Sequence, residues 1–531
     1  MMKPSRKPDA LATLIPASLC SAVLLALAMP GRIGWWPLLF VALVPLLLVV
    51  LSARPGRAAL AGFVFGLAYH LALLYWILIV LGQYGGLPIW ISLPALFLLA
   101  AYMSLYPAVF CWLLGRVAGR SWHRERSIAP LVWYAPVTWV GLEYTKSVAF
   151  SGFPWMDLGY GLFSQPTLIQ AADLGGHYLL SFALVLGNAL FVALIDRQRR
   201  AVRWNIRFER RLLIAAMGFL VFILGYSQVR YRIVSAIAAR SMQARVAVVQ
   251  GNVEQAVKWS PQFKAATVDT YLRLSQQAIG TQDVELVVWP ETALPFYPQR
   301  DPLMQRVTAF TQANHFWLLT GAPLFSLPPQ DDGEQQIRYY NGALLVGPDG
   351  QMHGSHAKQH LVPFGEYVPL RRFLPFLEPL VVSVGDFTPG AEKGPLELGP
   401  MRLGMLICYE SIFPEIAHES VVRGANLLVN ITNDAWYGRS SAPYQSLAMA
   451  VLRAVENKRS LIRAANTGVS GFIDPLGRVG YPSDIFTEAA MVAQVPMLEL
   501  NTVFNRNGVR FGAICAFGTI FLLAMRSRRD E

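Results

Sequence analysis

Long apolar runs fill most of the first 230 residues, and a chain that carries them must place them in lipid or bury them against each other. Spans long enough to cross about 30 Å of hydrocarbon lie at residues 10–30, 35–52, 58–82, 88–115, 168–195, 211–230 and 508–526, with a weaker one at 128–144. Of the 531 residues, 54% are hydrophobic and 15% charged, too apolar for an ordinary soluble enzyme. The expected architecture is a multi-span α-helical membrane domain of about eight helices in all. Residues 1–230 hold about seven of them, 231–507 form a polar domain, and 508–531 supply the last helix and a tail.

Orientation follows from the basic residues, because loops rich in Lys and Arg stay in the cytoplasm. Lys3, Arg6 and Lys7, the Arg54 and Arg57 loop, the stretch 116–126, the run DRQRRAVRWNIRFERR at 196–211 and the tail RSRRDE at 526–531 alternate with loops almost free of positive charge. Both termini are therefore expected to be cytoplasmic and the 231–507 block to lie outside. The formal charge of +12 comes mostly from these loops, so nucleic acid is not implied. The first span has the charged start of a signal peptide, but its apolar run is longer than a typical h-region. We expect it to be retained. Trp35, Trp36, Trp90 and Trp133 are expected as interfacial anchors, and His70 and His177 as core or interface residues.

The outer block reads as alternating strand and helix. Short β-branched or apolar runs ended by turn residues lie at 244–252, 284–292, 316–323, 339–350, 402–410, 425–434 and 460–477. Amphipathic helix patterns fill 262–279, 301–314, 412–422 and 443–457. An α/β layered domain with strands covered on both faces is expected, with a loop at 328–336. The stretch Asn430-Ile-Thr432 reads as a strand end.

Four cysteines are present, and Cys20, Cys111 and Cys515 fall in apolar spans, which leaves Cys408 alone in the outer block. A lone thiol in an oxidising compartment cannot pair within its own domain and needs a reason to be there. It closes the run LGMLICYE, while Glu291 closes VVWPET and Lys358 lies in HAKQHLVPFGEYVP. Functional groups of such sheets gather where strands end. Only the thiolate is a good nucleophile; a carboxylate can take its proton, and a lysine can stabilise the oxyanion of a tetrahedral intermediate. A Glu, Lys and Cys set therefore suits acyl transfer through a thioester. Taken singly, Cys408 is equally a small core residue, Lys358 a solvated lysine and Glu291 a neighbour of a helix cap. His353, His356 and His360 lack the spacing of ligands on one helix face, so no metal is expected, and no cofactor signature is present.

WPET, KQHLVPFGEYVP, CYE and ITNDAWYG, in this order, resemble the nitrilase (carbon-nitrogen hydrolase) superfamily. With membrane spans before and after the block, the resemblance extends over nearly the whole chain to the apolipoprotein N-acyltransferases. It implies an α/β nitrilase-like αββα sandwich at 231–507, facing the periplasm from a bacterial inner membrane. It further implies Glu291 as general base, Lys358 as oxyanion stabiliser and Cys408 as nucleophile. Glu366 would assist, Tyr409 and Glu410 would shape the pocket, and Trp259 and Trp436 would line it; Glu366 and Glu410 also admit purely structural hydrogen-bonding roles. The implied acyl donor is a membrane phospholipid, and the implied acceptor is the N-terminal α-amine of a diacylglyceryl-cysteine apolipoprotein. The apolar segment 371–382 could act as a lid at the lipid surface. One departure is Ser446, where the family often has His, which we take as variation at the pocket mouth. Two other readings remain open: a membrane-bound amidase or nitrilase using water as acceptor, and a transporter or lipid-binding protein with an inactive outer module.

Overall fold

A computed structural model describes residues 11–124, 129–200, 208–255, 258–280, 283–327, 337–367, 387–391 and 394–527. The expected loop at 328–336 and lid at 371–382 lie outside them. The described chain divides into two compact units. One draws on Met1–Leu78, Ile89–Arg230 and Asn507–Glu531, the other on Ile79–Pro88 and Tyr231–Arg506.

The second unit is a sandwich of two six-stranded sheets. Strands β1 (Gln243–Gln250), β2 (Leu286–Val288), β3 (Trp317–Ser326), β4 (Arg338–Val346) and β5 (Met352–Ala357) build the first sheet in that spatial order. The second holds β6 (Leu396–Leu398), β7 (Met401–Ile407), β8 (Leu427–Thr432), β9 (Ser460–Ala465), β10 (Gly471–Ile473) and β11 (Val479–Gly480). The last strand, β12 (Ala489–Pro496), returns to the first sheet and pairs antiparallel with β1. Parallel pairs β1/β2, β2/β3, β7/β8 and β8/β9 form the centres of the sheets.

Side chains alternate across each strand, and β1 shows the consequence. Val246 and Val248 point into the core between the sheets, with Leu286, Val288, Met405, Ile407, Val429 and Ile462. Ala247 and Val249 point the other way, into a second core under helices Pro261–Ile279 and Leu303–Asn314. Helices Pro414–Val422 and Ala442–Asn457 complete the layered unit beside the second sheet. The helices fall where amphipathic periodicity places them. Strands β6, β11 and β12 carry no comparable signal: the first two are three and two residues long, and β12 is alanine-rich and half-exposed.

In the first unit, five described helices are long and apolar enough to cross a membrane: Leu11–Ala28, Pro55–Leu73, Ile89–Arg116, Ala172–Asp196 and Glu209–Ala238. Trp36–Val50 and Arg510–Ala524 are shorter apolar stretches, and the weak span expected at 128–144 is the helix Ala129–Val148. Proline decides how the second expected span is built. Pro37 and Pro45 each sit at the start of a helical segment, where a missing N–H costs nothing, giving a 3₁₀ turn at Trp36–Phe40 and a helix at Val44–Val50. The span expected at 58–82 stops at Leu73, and the residues from Ile79 to Pro88 pack with the sandwich unit instead.

Gly62 and Gly66 form a GxxxG pattern that lets two helix backbones meet. A Cβ on Gly62 would lie 2.2 Å from the Pro107 carbonyl oxygen, and one on Gly66 would lie 2.6 Å from Pro107 Cγ. Nearby, buried charges are paired. Asp157 takes Lys146 Nζ at 2.5 Å and His177 Nε2 at 3.0 Å, and Glu143 accepts the Leu158 N–H and the Trp139 indole N–H. His177 is a core residue, its ring 4.4 Å from Tyr160 and 4.0 Å from Tyr178.

Gly62→Val is expected to destabilise this unit by ~1–3 kcal/mol through overpacking. Gly218→Ala, which meets nothing within 4 Å, should leave stability unchanged or slightly raised. Thermal unfolding in detergent checks the contrast, and an unaltered midpoint for Gly62→Val would refute the close approach.

Candidate active site

Glu291 follows β2 in the turn that Trp-Pro-Glu-Thr forms. Gly321 on the neighbouring strand is what lets that turn lie so close: a Cβ there would stand 2.4 Å from the Thr292 nitrogen and 2.5 Å from the Pro290 oxygen. The carboxylate is buried and held by neutral donors. Its Oε1 accepts Asn341 Nδ2 at 2.7 Å, and its Oε2 accepts the backbone N–H of Asn433 at 2.8 Å. Lys358 Nζ stands 3.9 Å away.

Lys358 follows β5 and is 1% exposed. Its ammonium pairs with Glu366 Oε1 at 2.9 Å, and the other Glu366 oxygen accepts the Val362 N–H at 2.8 Å. Burial alone would lower the lysine's pKa, but the charges of Glu366, Cys408 and Glu291 outweigh it, and the ammonium form is favoured well beyond its ordinary range. Lys358 is thus a fixed positive charge.

Cys408 ends β7 and starts a 3₁₀ turn, Cys408–Ile412, with φ at +55°. A left-handed conformation costs a non-glycine residue roughly 1–2 kcal/mol, and it projects the side chain out of the strand's line, as strained turns at nucleophiles do. Burial pushes the thiol's pKa up, and the Glu291 charge adds to this, while Lys358 and a hydrogen bond with the Thr432 hydroxyl act in the opposite direction. The balance favours the neutral thiol over the thiolate.

Glu410 is fully buried. Its Oε1 accepts the N–H groups of Gln359 and His360 at 2.6 and 3.0 Å, and its Oε2 accepts that of Ile407 at 2.7 Å. It ties the segment after Lys358 to the strand end before Cys408. Burial pushes its carboxyl up to about 7, against the pull of those N–H groups and of Lys358. Tyr409 is buried, edge-on to Phe413 at 5.2 Å. Trp259 is half-buried. Trp436 lies in the turn Asp434–Tyr437, edge-on to Tyr84 at 5.6 Å.

Two residues escape the sequence reading although they shape the site. Asn341, on β4, gives one Nδ2 to both Glu291 and Glu366, at 2.7 and 2.8 Å. Its carbonyl also accepts the Lys358 N–H at 2.8 Å. Asn433 supplies the N–H on Glu291. A polar residue inside YYNGALL was the available signal for the first, and ITNDAW for the second.

One expectation needs correction. Ser446 is not at a pocket mouth: it is buried, 3.0 Å from Arg463 Nη2, and the same guanidinium nitrogen meets Asp434 Oδ2 at 2.8 Å. A serine hydroxyl fits there as an acceptor for a buried guanidinium. The stretch Asn430-Ile-Thr432 is the end of β8, as its sequence reads, and the Asn430 amide donates to Leu406 O at 2.8 Å. The three histidines go separate ways: His353 pairs with Asp349, His356 is buried, and His360 packs on Phe413. Among the described residues no group of three or more His, Cys, Asp or Glu is placed to hold a metal ion.

Comparison with known proteins covers both units. Residues 21–190 match the family model described as apolipoprotein N-acyltransferase N-terminal domain, and residues 245–502 match carbon-nitrogen hydrolase. An apolipoprotein N-acyltransferase of Geobacter metallireducens is 40% identical over 512 residues, 96% of this chain and 95% of that protein. Another from Azotobacter vinelandii is 35% identical over 480 residues, 89% of this chain and 87% of that protein. Among solved structures, Saccharomyces cerevisiae Nit3, a nitrilase superfamily member, aligns at 22% identity and a TM-score of 0.37 over 48% of this chain and 90% of its own. The chain belongs to the apolipoprotein N-acyltransferase family.

Proposed function

We propose that this protein transfers an acyl chain from a membrane phospholipid to the N-terminal α-amine of diacylglyceryl-cysteine apolipoproteins, through a thioester on Cys408. The observation that carries this reading is a buried Glu291 carboxylate 3.9 Å from a buried Lys358 ammonium, with Glu410 tying the residues after that lysine to the strand end before Cys408. In the first half-reaction Glu291 takes the thiol proton as sulfur attacks the ester carbonyl, and Lys358 stabilises the oxyanion. Collapse breaks the ester C–O bond, Glu291 returns the proton to the leaving oxygen, and a lysophospholipid departs. In the second half the α-amine attacks the thioester, Glu291 takes a proton from the amine, and the C–S bond breaks. That proton then restores the Cys408 thiol.

Glu366 anchors Lys358 and keeps it charged throughout. Tyr409, Trp259 and Trp436 are placed in this reading around the acyl chain, while Glu410 positions backbone. Both substrates of such a reaction are lipids. That is the physical reason for a catalytic domain carried on membrane helices, here at the periplasmic face of a bacterial inner membrane with both termini in the cytoplasm. Excluding water favours the amine over hydrolysis.

The deciding experiment is intact-protein mass spectrometry of detergent-purified protein incubated with a phospholipid of defined acyl chains. Wild type is expected to gain one acyl group, labile to neutral hydroxylamine, which a diacylglyceryl-cysteine peptide then discharges as an amide. Cys408→Ser should form no thioester, Glu291→Gln should acylate ~10²–10⁴-fold more slowly, and Lys358→Met ~10²–10³-fold more slowly. Discharge to water at the same rate with or without the peptide would instead identify an amidase-like hydrolase, and a folded wild type that gains no acyl group from any of several phospholipids would remove phospholipid as donor.

Asn341→Leu removes the donor shared by two buried carboxylates. It is expected to slow acylation by ~10–100-fold, the scale of lost outer-shell positioning. Asn341→Gln, with the amide displaced by a methylene, should recover little. Single-turnover acylation rates measure both, and rates equal to wild type would show that Glu291 needs no such support.

A further inference from the structure

Lys258 has no role in the chemistry above, yet it is wholly buried beneath the residue that needs a charge most. Its Nζ donates to Thr292 Oγ1 at 2.8 Å and to the Glu291 carbonyl oxygen at 3.4 Å. A buried ammonium is costly unless a counter-charge meets it, and the charge that faces this one is the Glu291 carboxylate. Thr292 has φ at +48°, so the turn that presents Glu291 is a strained one. It is gripped on one side by the Gly321 backbone, whose N–H donates to Pro290 O and whose carbonyl accepts the Leu294 N–H, at 3.1 Å each. On the other side it is gripped by Lys258.

Charge balance gives the grip a second meaning. Two carboxylates, Glu291 and Glu366, share the donor Asn341, while Lys358 is engaged at 2.9 Å by Glu366 and stands 3.9 Å from Glu291. With Lys358 as their sole cation the pair would carry a surplus negative charge in a buried site, and like charges there drive one carboxylate to take up a proton. Lys258 supplies the missing positive charge, from the turn that carries Glu291. The other groups facing Glu291 electrostatically are Cys408 and Tyr437, with Asp434 on the Tyr437 turn already paired to Arg463. None of them is a cation available to the base.

We propose that Lys258 is a positioning residue for the general base: its buried ammonium fixes the turn that carries Glu291 and stabilises the negative charge on that carboxylate beside Glu366. The inference rests on the reading of Glu291 and Cys408 given above. Burial lowers the lysine's own pKa to about 8, with Glu291 opposing the shift, so its support is present below that pH and fades above it.

The test is the pH dependence of single-turnover acylation of Cys408 by a dipalmitoyl phospholipid in detergent, from pH 5 to 9. It compares full-length wild type, Lys258→Gln and Lys258→Arg, each checked for folding by thermal unfolding. Lys258→Gln keeps a hydrogen-bond donor near Thr292 but has no charge. Its acid limb is expected about one pH unit higher than that of wild type, making it about tenfold slower at pH values on the acid side of both limbs and equal to wild type within about twofold above the pH at which Lys258 loses its own charge. Lys258→Arg restores the wild-type acid limb, because a guanidinium stays charged. The same fractional loss at every pH would reduce Lys258 to a structural lysine and overturn the proposal, as would a Lys258→Gln profile that superposes on wild type. A wild type that forms no acyl adduct overturns the reading of Cys408 and this inference with it, an outcome separable from the other two because it does not involve the variants.

Discussion

The placement of one buried ammonium governs the catalytic unit. Lys358 is almost entirely withdrawn from water, a state that is tolerable only if carboxylates and hydrogen bonds meet the charge on all sides. Three separate pieces of chain are recruited to do so. The turn after β2 carries Glu291, the loop after β5 folds back to bring Glu366, and β4 sends Asn341 between the two. The position of Cys408 follows from the same requirement. Glu410, reaching from the Cys408 turn, ties down the N–H groups of Gln359 and His360, the residues directly after the lysine. Moving the lysine therefore moves the cysteine, and the site is built as one object rather than three residues that happen to meet.

Much of this was legible in the sequence, for identifiable reasons. The central strands announce themselves because both of their faces are buried: VAVV, LVV and LLVNIT are β-branched or apolar throughout. Glu291, Lys358 and Cys408 could be picked out because strand ends place them and because a Glu, Lys and Cys set has one obvious chemistry. Asn341 and Lys258 could not. An asparagine in a strand and a lysine in a loop have many ordinary uses, and what marks these two is partners 50 and 34 residues away in the chain. Ser446 misled for the complementary reason. A departure from a familiar pattern looked like a change in a binding surface, whereas its partner is a guanidinium wholly inside the fold.

In the helical unit, hydropathy located apolar stretches but not their joints. The apolar stretch expected at 58–82 runs past the end of its helix at Leu73, and the residues from Ile79 belong with the sandwich unit. The Gly62 and Gly66 pair was visible as a pattern and signals a close approach, but its partner, the Ser104 to Ala108 stretch, is set by packing. The charged groups of this unit sit where pairing can hold them. Asp157 is shared by Lys146 and His177, so the loop it belongs to is fixed by charge as well as by the rings of Tyr160 and Tyr178.

Two glutamates lie beside one lysine, and their surroundings separate their tasks. A general base must change charge within each turnover, so protonating it must not dismantle the site. Glu366 is in direct contact with the ammonium at 2.9 Å; a proton there would strip Lys358 of its close counter-charge. Glu291 stands a full ångström farther off, and its contacts are an amide and a backbone N–H, neutral donors whose bonds weaken but survive when the carboxylate takes a proton. Asn341 spans both, so with Glu291 as the base proposed above it can lean towards Glu366 while Glu291 is protonated and keep the lysine in place. The residue suited to carry the proton is the one held less tightly by charge, and the residue suited to hold the lysine is the one that never gives its charge up.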